Sequence, residues 1–379
     1  MPVFKNNKNP LKKIVFQAYS PHLAQMFSSL VEALKKDEGV EIYFIVMFHP
    51  YHGFKSLRDT RKYALNVLKI RKSNILYIWQ VFWRKFDCLI CSDNYAKFPL
   101  LKTKKILIPH GHGLSQRKIK KNILRKTIYD FDAYFLAGEF GLVQLKRFIK
   151  QKPDLLVSGF PFMDPLSEKE KSREKLFKDL GVDDDKKIVL FAPNWRSYLF
   201  GERLSVSFDD VMKCLMEKDV TIFVKLHAVS YIRAQSKGIS WQRKLKKYAG
   251  LNNVKIINDL NDIPYFKLAD ILVADPSSSR AFCFMITDKP VIIAGMLEAY
   301  YKDPFTRALM DKMKEAAYIA KSTKELSEVL DHCIKHPAEM SIERKKVVKE
   351  IFSHIGHATH ENIKLIKRIM EQDNTKREV

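Results

Sequence analysis

Short apolar runs alternate with stretches of helical periodicity along this chain, and the alternation starts twice. In the first half the runs are "KIVFQAYS" (13–20), "VEIYFIVMFH" (40–49), "FDCLICSD" (86–93), "KKILIPH" (104–110), "DAYFLAGE" (132–139) and "PDLLVSGFP" (153–161). Between the first two, "HLAQMFSSLVEALKK" (22–36) spaces its apolar residues as a helix does. Runs of Ile, Val, Leu and Phe with no polar alternation predict parallel strands covered by helices on both faces. A charged stretch at 167–187 interrupts the pattern, which resumes with "KIVLFAPN" (187–194), "VTIFVKLH" (220–227), "NVKIIND" (253–259), "ADILVAD" (269–275) and "KPVIIAG" (289–295). From about Ser322 the chain reads as helical and basic. The expectation is an α/β protein of two Rossmann-like domains, 1–170 and 171–350, followed by a C-terminal helix and basic tail at 351–379.

The length of 379 residues suits two domains, each with its own core. Charge is the unusual quantity: 67 Lys and Arg against 43 Asp and Glu leave +24. Such a field favours anionic partners: nucleic acid, anionic lipid or phosphorylated substrates. The basic residues scatter along the chain and form no nucleic-acid-binding motif, so no nucleic acid is expected. No run approaches the roughly 18 apolar residues of a membrane span, and the basic N-terminus leads into no long apolar segment, so a cytoplasmic protein is expected. Five scattered cysteines fit a reducing compartment. Cys88 and Cys91 form a C-x-x-C, but Leu89 and Ile90 between them read as buried strand and no second pair follows.

Two facing α/β halves predict a cleft, with ligands beyond the carboxyl ends of the strands. Four strand ends there carry useful chemistry. "PHGHG" places His110, Gly111 and His112 in a loop after the 104–110 run, and imidazole suits proton transfer near neutrality. "APNWR" brings Asn194 and Arg196, and "FVKLH" ends in His227, which suits either a structural or a functional histidine. "DPSSSR" places Asp275, Ser277, Ser278 and Ser279 at a predicted helix start, either an anion site or an ordinary N-cap. A GxGxxG is absent. His332 and His336, and His354, His357 and His360, have helical spacing but lack a carboxylate in frame, so no metal is expected.

In order, "PHGHGLSQRK", "SGFPFMD", "KIVLFAPNWR", "FVKLH" and "ADILVADPSSSRAFCFMITDKPVII" resemble the CDP-glycerol glycerophosphotransferases of the teichoic-acid type. The resemblance covers roughly residues 100–300. It implies a GT-B-like fold, with the nucleotide held mainly by the second domain. It also implies transfer of a polyol phosphate from a CDP-activated donor to a lipid-linked or polymeric glycan acceptor, releasing CMP, with no cofactor. Carried over, His110 matches the proposed base and His227 the second-domain histidine near the donor phosphates. Ser277 and Ser278 match the paired serines at the phosphate site, and Arg196 matches the arginine after the tryptophan. Gly111, His112 and Asp164 fall at the cleft rim on the acceptor side. The sequence departs from the pattern at His112, Gly113, Pro276 and Asn194, around the reacting centre. A UDP-sugar glycosyltransferase or epimerase shares the fold and is the alternative. The segment 58–86 mixes Arg and Lys with Leu, Ile, Trp79 and Trp83, which suits either an anionic membrane surface or a core element with a solvated basic side.

Overall fold

A computed structural model describes residues 10–49, 53–93, 103–109, 130–149, 151–168, 174, 177–178, 186–195, 206–232, 239–276, 278–300 and 304–372. Two all-parallel sheets organise it. The first holds β1 (Lys12–Ala18), β2 (Val40–Val46), β3 (Ile75–Tyr77), β4 (Cys88–Cys91), β5 (Lys104–Leu107), β6 (Ala133–Leu136) and β7 (Asp154–Val157), in the order β3-β2-β1-β4-β5-β6-β7. The second holds β8 (Lys187–Phe191), β9 (Val220–Val224), β10 (Val254–Ile256), β11 (Ile271–Ala274), β12 (Val291–Ala294) and β13 (Tyr318–Ala320), in the order β10-β9-β8-β11-β12-β13.

Neighbouring residues on a strand serve opposite faces. In β1, Ile14 and Phe16 join Ile42, Phe44 and Ile90 in one core, while Val15 joins Tyr43, Ile45 and Leu89 in the other. The second sheet repeats this, with Ile188 and Leu190 on one side and Val189 and Phe191 on the other. Both faces are therefore dry, which explains the near-continuous apolar runs.

An aspartate sets the register at three places. Asp87, Asp132 and Asp270 stand just before β4, β6 and β11. Each carboxylate accepts a backbone N–H near the start of a neighbouring strand: Lys13 at 2.8 Å, Lys105 at 2.8 Å and Ile188 at 2.9 Å. The same device thus joins β1 to β4 and β8 to β11, the pairs at which the strand order of each sheet reverses.

The segment 22–36 forms two helices, Pro21–Gln25 and Ser28–Leu34, with a break at Met26 and Phe27, both buried. The basic segment 58–86 holds the end of the Gly53–Asn66 helix, then β3 and a 3₁₀ turn at Ile78–Val81. Cys88 and Cys91 are buried on β4, where burial pushes both thiols up. The final helix, Ala358–Glu371, returns to the first sheet, burying Leu365, Ile366 and Ile369 against the core that contains Phe16 and Phe44. Each such side chain contributes about 1.5–3 kcal/mol. The halves also share apolar packing: Met26, Phe160, Phe162 and Met163 lie in one cluster with Phe223, Ile263 and Phe266.

Candidate active site

In both sheets the crevice at the reversal of strand order is the expected ligand position. In the second sheet this reversal falls between β8 and β11. Asn194 follows β8 and Asp275 follows β11. The Asn194 N–H donates to Asp275 Oδ2, and Asp275 is fully buried. The Asn194 side chain turns back, its Oδ1 accepting from Trp195 N–H at 2.7 Å. Ser278 is buried and its N–H donates to the Asp275 carbonyl at 3.0 Å. Ser279 precedes the Arg280–Met285 helix and makes no side-chain cap bond. Asn194 and Ser278 are therefore both held by Asp275.

His227 follows β9, the neighbour of β8. It caps the 3₁₀ turn Ala228–Tyr231, its Nδ1 accepting from Val229 N–H at 3.2 Å. A ring nitrogen that accepts carries no proton, so neutral His227 keeps its proton on Nε2. The ring can donate a hydrogen bond without becoming charged.

Beside it lies a charged cluster that reading the sequence missed. Lys225, 2% exposed, donates to the Asp259 carbonyl and pairs with Asp262 Oδ1 at 3.4 Å. Arg280 donates from Nε to Asp262 Oδ2 at 3.0 Å and from Nη1 to the Lys225 carbonyl at 3.2 Å. Burial alone would push the Asp262 carboxyl up, but Arg280 first, then Lys225 and His22, hold it below its ordinary value. Burial pulls the Lys225 ammonium down, against the attraction of Asp262.

The first sheet brings its own groups. At its reversal, between β1 and β4, Tyr19 Oη donates to Asp93 Oδ2 at 2.8 Å. His49, after β2, is buried and stacks on Tyr19 at 4.5 Å between ring centroids. Burial lowers the pKa of His49, and the Asp93 charge opposes this. Asp93 and Asp275 thus occupy matching places after β4 and β11.

The two halves meet through the short helix after β1. The His22 ring meets the His227 ring edge-on, with centroids 5.2 Å apart and planes at 65°. The Gln25 amide, oriented to satisfy both its ends, donates to the Leu260 carbonyl at 3.0 Å and accepts from Asn261 N–H at 3.1 Å. His22 was legible in principle, since it too follows a strand, but its helical periodicity concealed it.

Asp164 is buried and lies under the last helix, its carboxylate accepting from Ala358 N–H at 3.1 Å and Thr359 N–H at 2.6 Å. That is a capping task for a residue expected at the cleft rim. His110, Gly111, His112, Arg196 and Ser277 lie outside the described residues. The strand that leads to His110, β5, is paired with β4, so it ends on the same edge as Asp93. Among the described residues, no group of three or more His, Cys, Asp or Glu side chains is placed to hold a metal ion. His332 Nε2 meets Glu339 Oε2 at 2.6 Å on the surface. No helix among the described residues is long and apolar enough to cross a membrane.

Known proteins are similar to this chain in sequence and in fold. The teichoic acid glycerol-phosphate primase of Bacillus spizizenii is 25% identical over 268 residues, covering 65% of this chain and 66% of that protein. The teichoic acid poly(glycerol phosphate) polymerase of the same organism is 24% identical over 199 residues, covering 51% of this chain and 48% of that one. The chain thus spans between about half and about two thirds of these relatives. The solved structure of the wall teichoic acid polymerase TagF superposes with a TM-score of 0.65 at 17% identity, over 95% of this chain and 89% of that one, which identifies the fold. Residues 4–370 match the family described as CDP-glycerol:poly(glycerophosphate) glycerophosphotransferase, and the chain belongs to that family.

Proposed function

We propose that the protein transfers glycerol phosphate, or a related polyol phosphate, from a CDP-activated donor to a hydroxyl of a lipid-linked or polymeric cell-surface glycan, releasing CMP. Residues 1–170 form the acceptor half and 171–350 the donor half. The observation that carries this reading is the set of groups at the carboxyl ends of the second sheet. His227 is held as an Nε2–H donor two residues after Lys225, whose carbonyl Arg280 binds, and the Asn194–Asp275 turn follows β8 and β11 of the same sheet. Family membership supports the choice of donor.

In this scheme the acceptor oxygen forms a bond to the phosphorus that carries the polyol, and the bond from that phosphorus to the bridging oxygen breaks. CMP leaves with the bridging oxygen. The acceptor's proton passes to a base, for which His110 is the candidate on the family resemblance. Charge grows on the bridging and phosphoryl oxygens, and hydrogen-bond donors fixed in advance stabilise it without reorganisation. His227 is such a donor. Asn194, Arg196, Asp275 and Ser277–Ser279 frame the donor phosphates, with Asp275 acting through the backbone it orders.

The acceptor side suits work at the inner face of an anionic membrane. Trp79, Phe82 and Trp83 are 60%, 59% and 90% exposed, and Arg84 and Lys85 follow directly. Aromatic rings among basic side chains partition into an anionic interface.

The test is product release from CDP-glycerol, CDP-ribitol and UDP-sugars, with and without membranes carrying acceptor. CMP release that depends on acceptor is expected. Turnover of UDP-sugars with none of the CDP donors would overturn the assignment.

A further inference from the structure

His22 belongs to the first half, yet its ring lies against a histidine of the second. Its position is fixed from both sides. Before it, Ser20 accepts from Leu23 N–H at 3.4 Å and Pro21 opens the helix. After it, Leu23 and Ala24 are buried, and Gln25 is tied to Leu260 and Asn261 of the opposite half. The imidazole therefore stands beyond the carboxyl end of β1, at the reversal point of the first sheet, and meets His227 edge-on. It is also within electrostatic reach of Asp262, which pairs with Arg280 and Lys225.

We propose that His22 is a ligand of the donor's diphosphate, flanking with His227 the phosphoryl group that is transferred. The inference rests on the reading that the donor phosphates lie at the carboxyl ends of the second sheet. His227 offers its Nε2–H from one half and His22 an imidazole N–H from the other. A ligand held this way bridges the two halves, so donor binding and the alignment of the halves become one event. No bond to His22 forms or breaks. Its part is to hold the transferred phosphorus between the donor half and the acceptor half.

A histidine that only packs the halves together would need its ring. A phosphate ligand needs its N–H. Two substitutions separate these roles: His22→Phe keeps an aromatic ring and loses the donor, and His22→Gln keeps a donor and loses the ring. The experiment is calorimetric titration of the full chain and both variants with CDP and with CMP, with thermal melts to establish folding. The parent is expected to bind both nucleotides. His22→Phe should lose roughly ten- to a hundred-fold in CDP affinity, the scale of one hydrogen bond to a charged group. Its CMP affinity should stay within about two-fold, since the affected group is absent from CMP. His22→Gln should hold CDP closer to the parent than His22→Phe does. Near-parental CDP binding by a folded Phe variant, or a Gln variant weaker than Phe, would overturn the proposal in favour of packing. Equal losses for CDP and CMP would overturn the assignment to the transferred group. A parent that binds neither nucleotide would instead bring down the donor reading itself.

Discussion

Arg280 donates from Nε to Asp262 Oδ2 at 3.0 Å, and Asp262 Oδ1 faces Lys225 Nζ at 3.4 Å. One buried carboxylate thus serves two cations, and the guanidinium also binds the Lys225 carbonyl at the end of β9. The helix after β11, the end of β9 and the loop at 259–262 are joined in one network. His227 lies two residues beyond Lys225.

Removing Asp262 leaves two buried cations uncompensated. Asp262→Ala is expected to cost about 3–5 kcal/mol, as for one partner lost from a buried pair. The pH dependence follows from the same carboxylate. Its folded pKa lies below the ordinary value. Its stabilisation is therefore fully present above the unfolded carboxylate pKa and is lost as pH falls through the folded one. Urea melts of parent and variant at neutral pH and across the acid range check both points, and the gap between them should narrow in acid.

Gly159 has φ +79°, and a Cβ there would meet the Ser353 carbonyl oxygen at 2.5 Å and Ala358 Cβ at 2.6 Å. Ser353 lies on the approach to the last helix and Ala358 is its first residue; that helix covers the first sheet. Gly159→Ala combines left-handed strain with that clash, and should cost at least about 2 kcal/mol. Gly250→Ala is the control: nothing lies within 4 Å of its Cβ position, and a change within about 0.5 kcal/mol is expected. Thermal melts give the comparison.

Asp164 separates a structural from a functional task. Its carboxylate serves two N–H groups that begin the last helix. Asp164→Ala should cost about 1–3 kcal/mol, and Asp164→Asn less, since one amide oxygen still accepts. An unchanged melting temperature with abolished transfer would return Asp164 to the cleft rim.

The strands that stand out most clearly in the sequence are those buried on both faces, because they produce uninterrupted apolar runs. β3 and β13, three residues each at the edges of the two sheets, escape it. β10 is an edge strand just as short, but it is read because Val254, Ile256 and Ile257 stand together in "NVKIIND", whereas β3 and β13 lie within longer segments of mixed pattern. The break at Met26 and Phe27 is hidden for a related reason: both residues are buried, so the apolar spacing continues across it. At the site, Asn194, Asp275, Ser278 and His227 follow strands and are visible as such. Lys225, Asp262 and Arg280 are not, since a lysine inside a run, an aspartate in a polar loop and an arginine on a helix look solvated until folding brings them together.

The exposed aromatics predict a measurable surface affinity. Replacing Trp79 and Trp83 together with Ser removes rings that are 60% and 90% exposed, and should cost no more than about 1.5 kcal/mol, the scale of the Trp79 stack on Tyr77. Sedimentation with vesicles rich in phosphatidylglycerol should fall about ten-fold or more. Arg84→Gln should weaken it roughly five-fold at low salt, the effect of about 1 kcal/mol per basic side chain at an anionic surface. Equal sedimentation of parent and variants would remove these rings from any membrane role.

Under the proposed function His227 has two tasks on two nitrogens, and substitutions can divide them. Nδ1 accepts from Val229 N–H at 3.2 Å, which caps the turn after β9. In the proposed reading, Nε2–H is the group offered to the donor phosphates. Asn is a good N-cap and supplies an acceptor close to the backbone, so His227→Asn should preserve the turn and the melting temperature. It lacks a donor at the reach of Nε2, and CMP release should fall by about 10²–10³, the effect of removing one preorganised donor to a developing charge. Gln places an amide N–H further out and gives up the cap, so His227→Gln should melt lower yet keep more activity than Asn. Steady-state CMP release and melting curves on both variants test the division. If Asn retains full turnover, the Nε2–H does not face the reacting phosphoryl group.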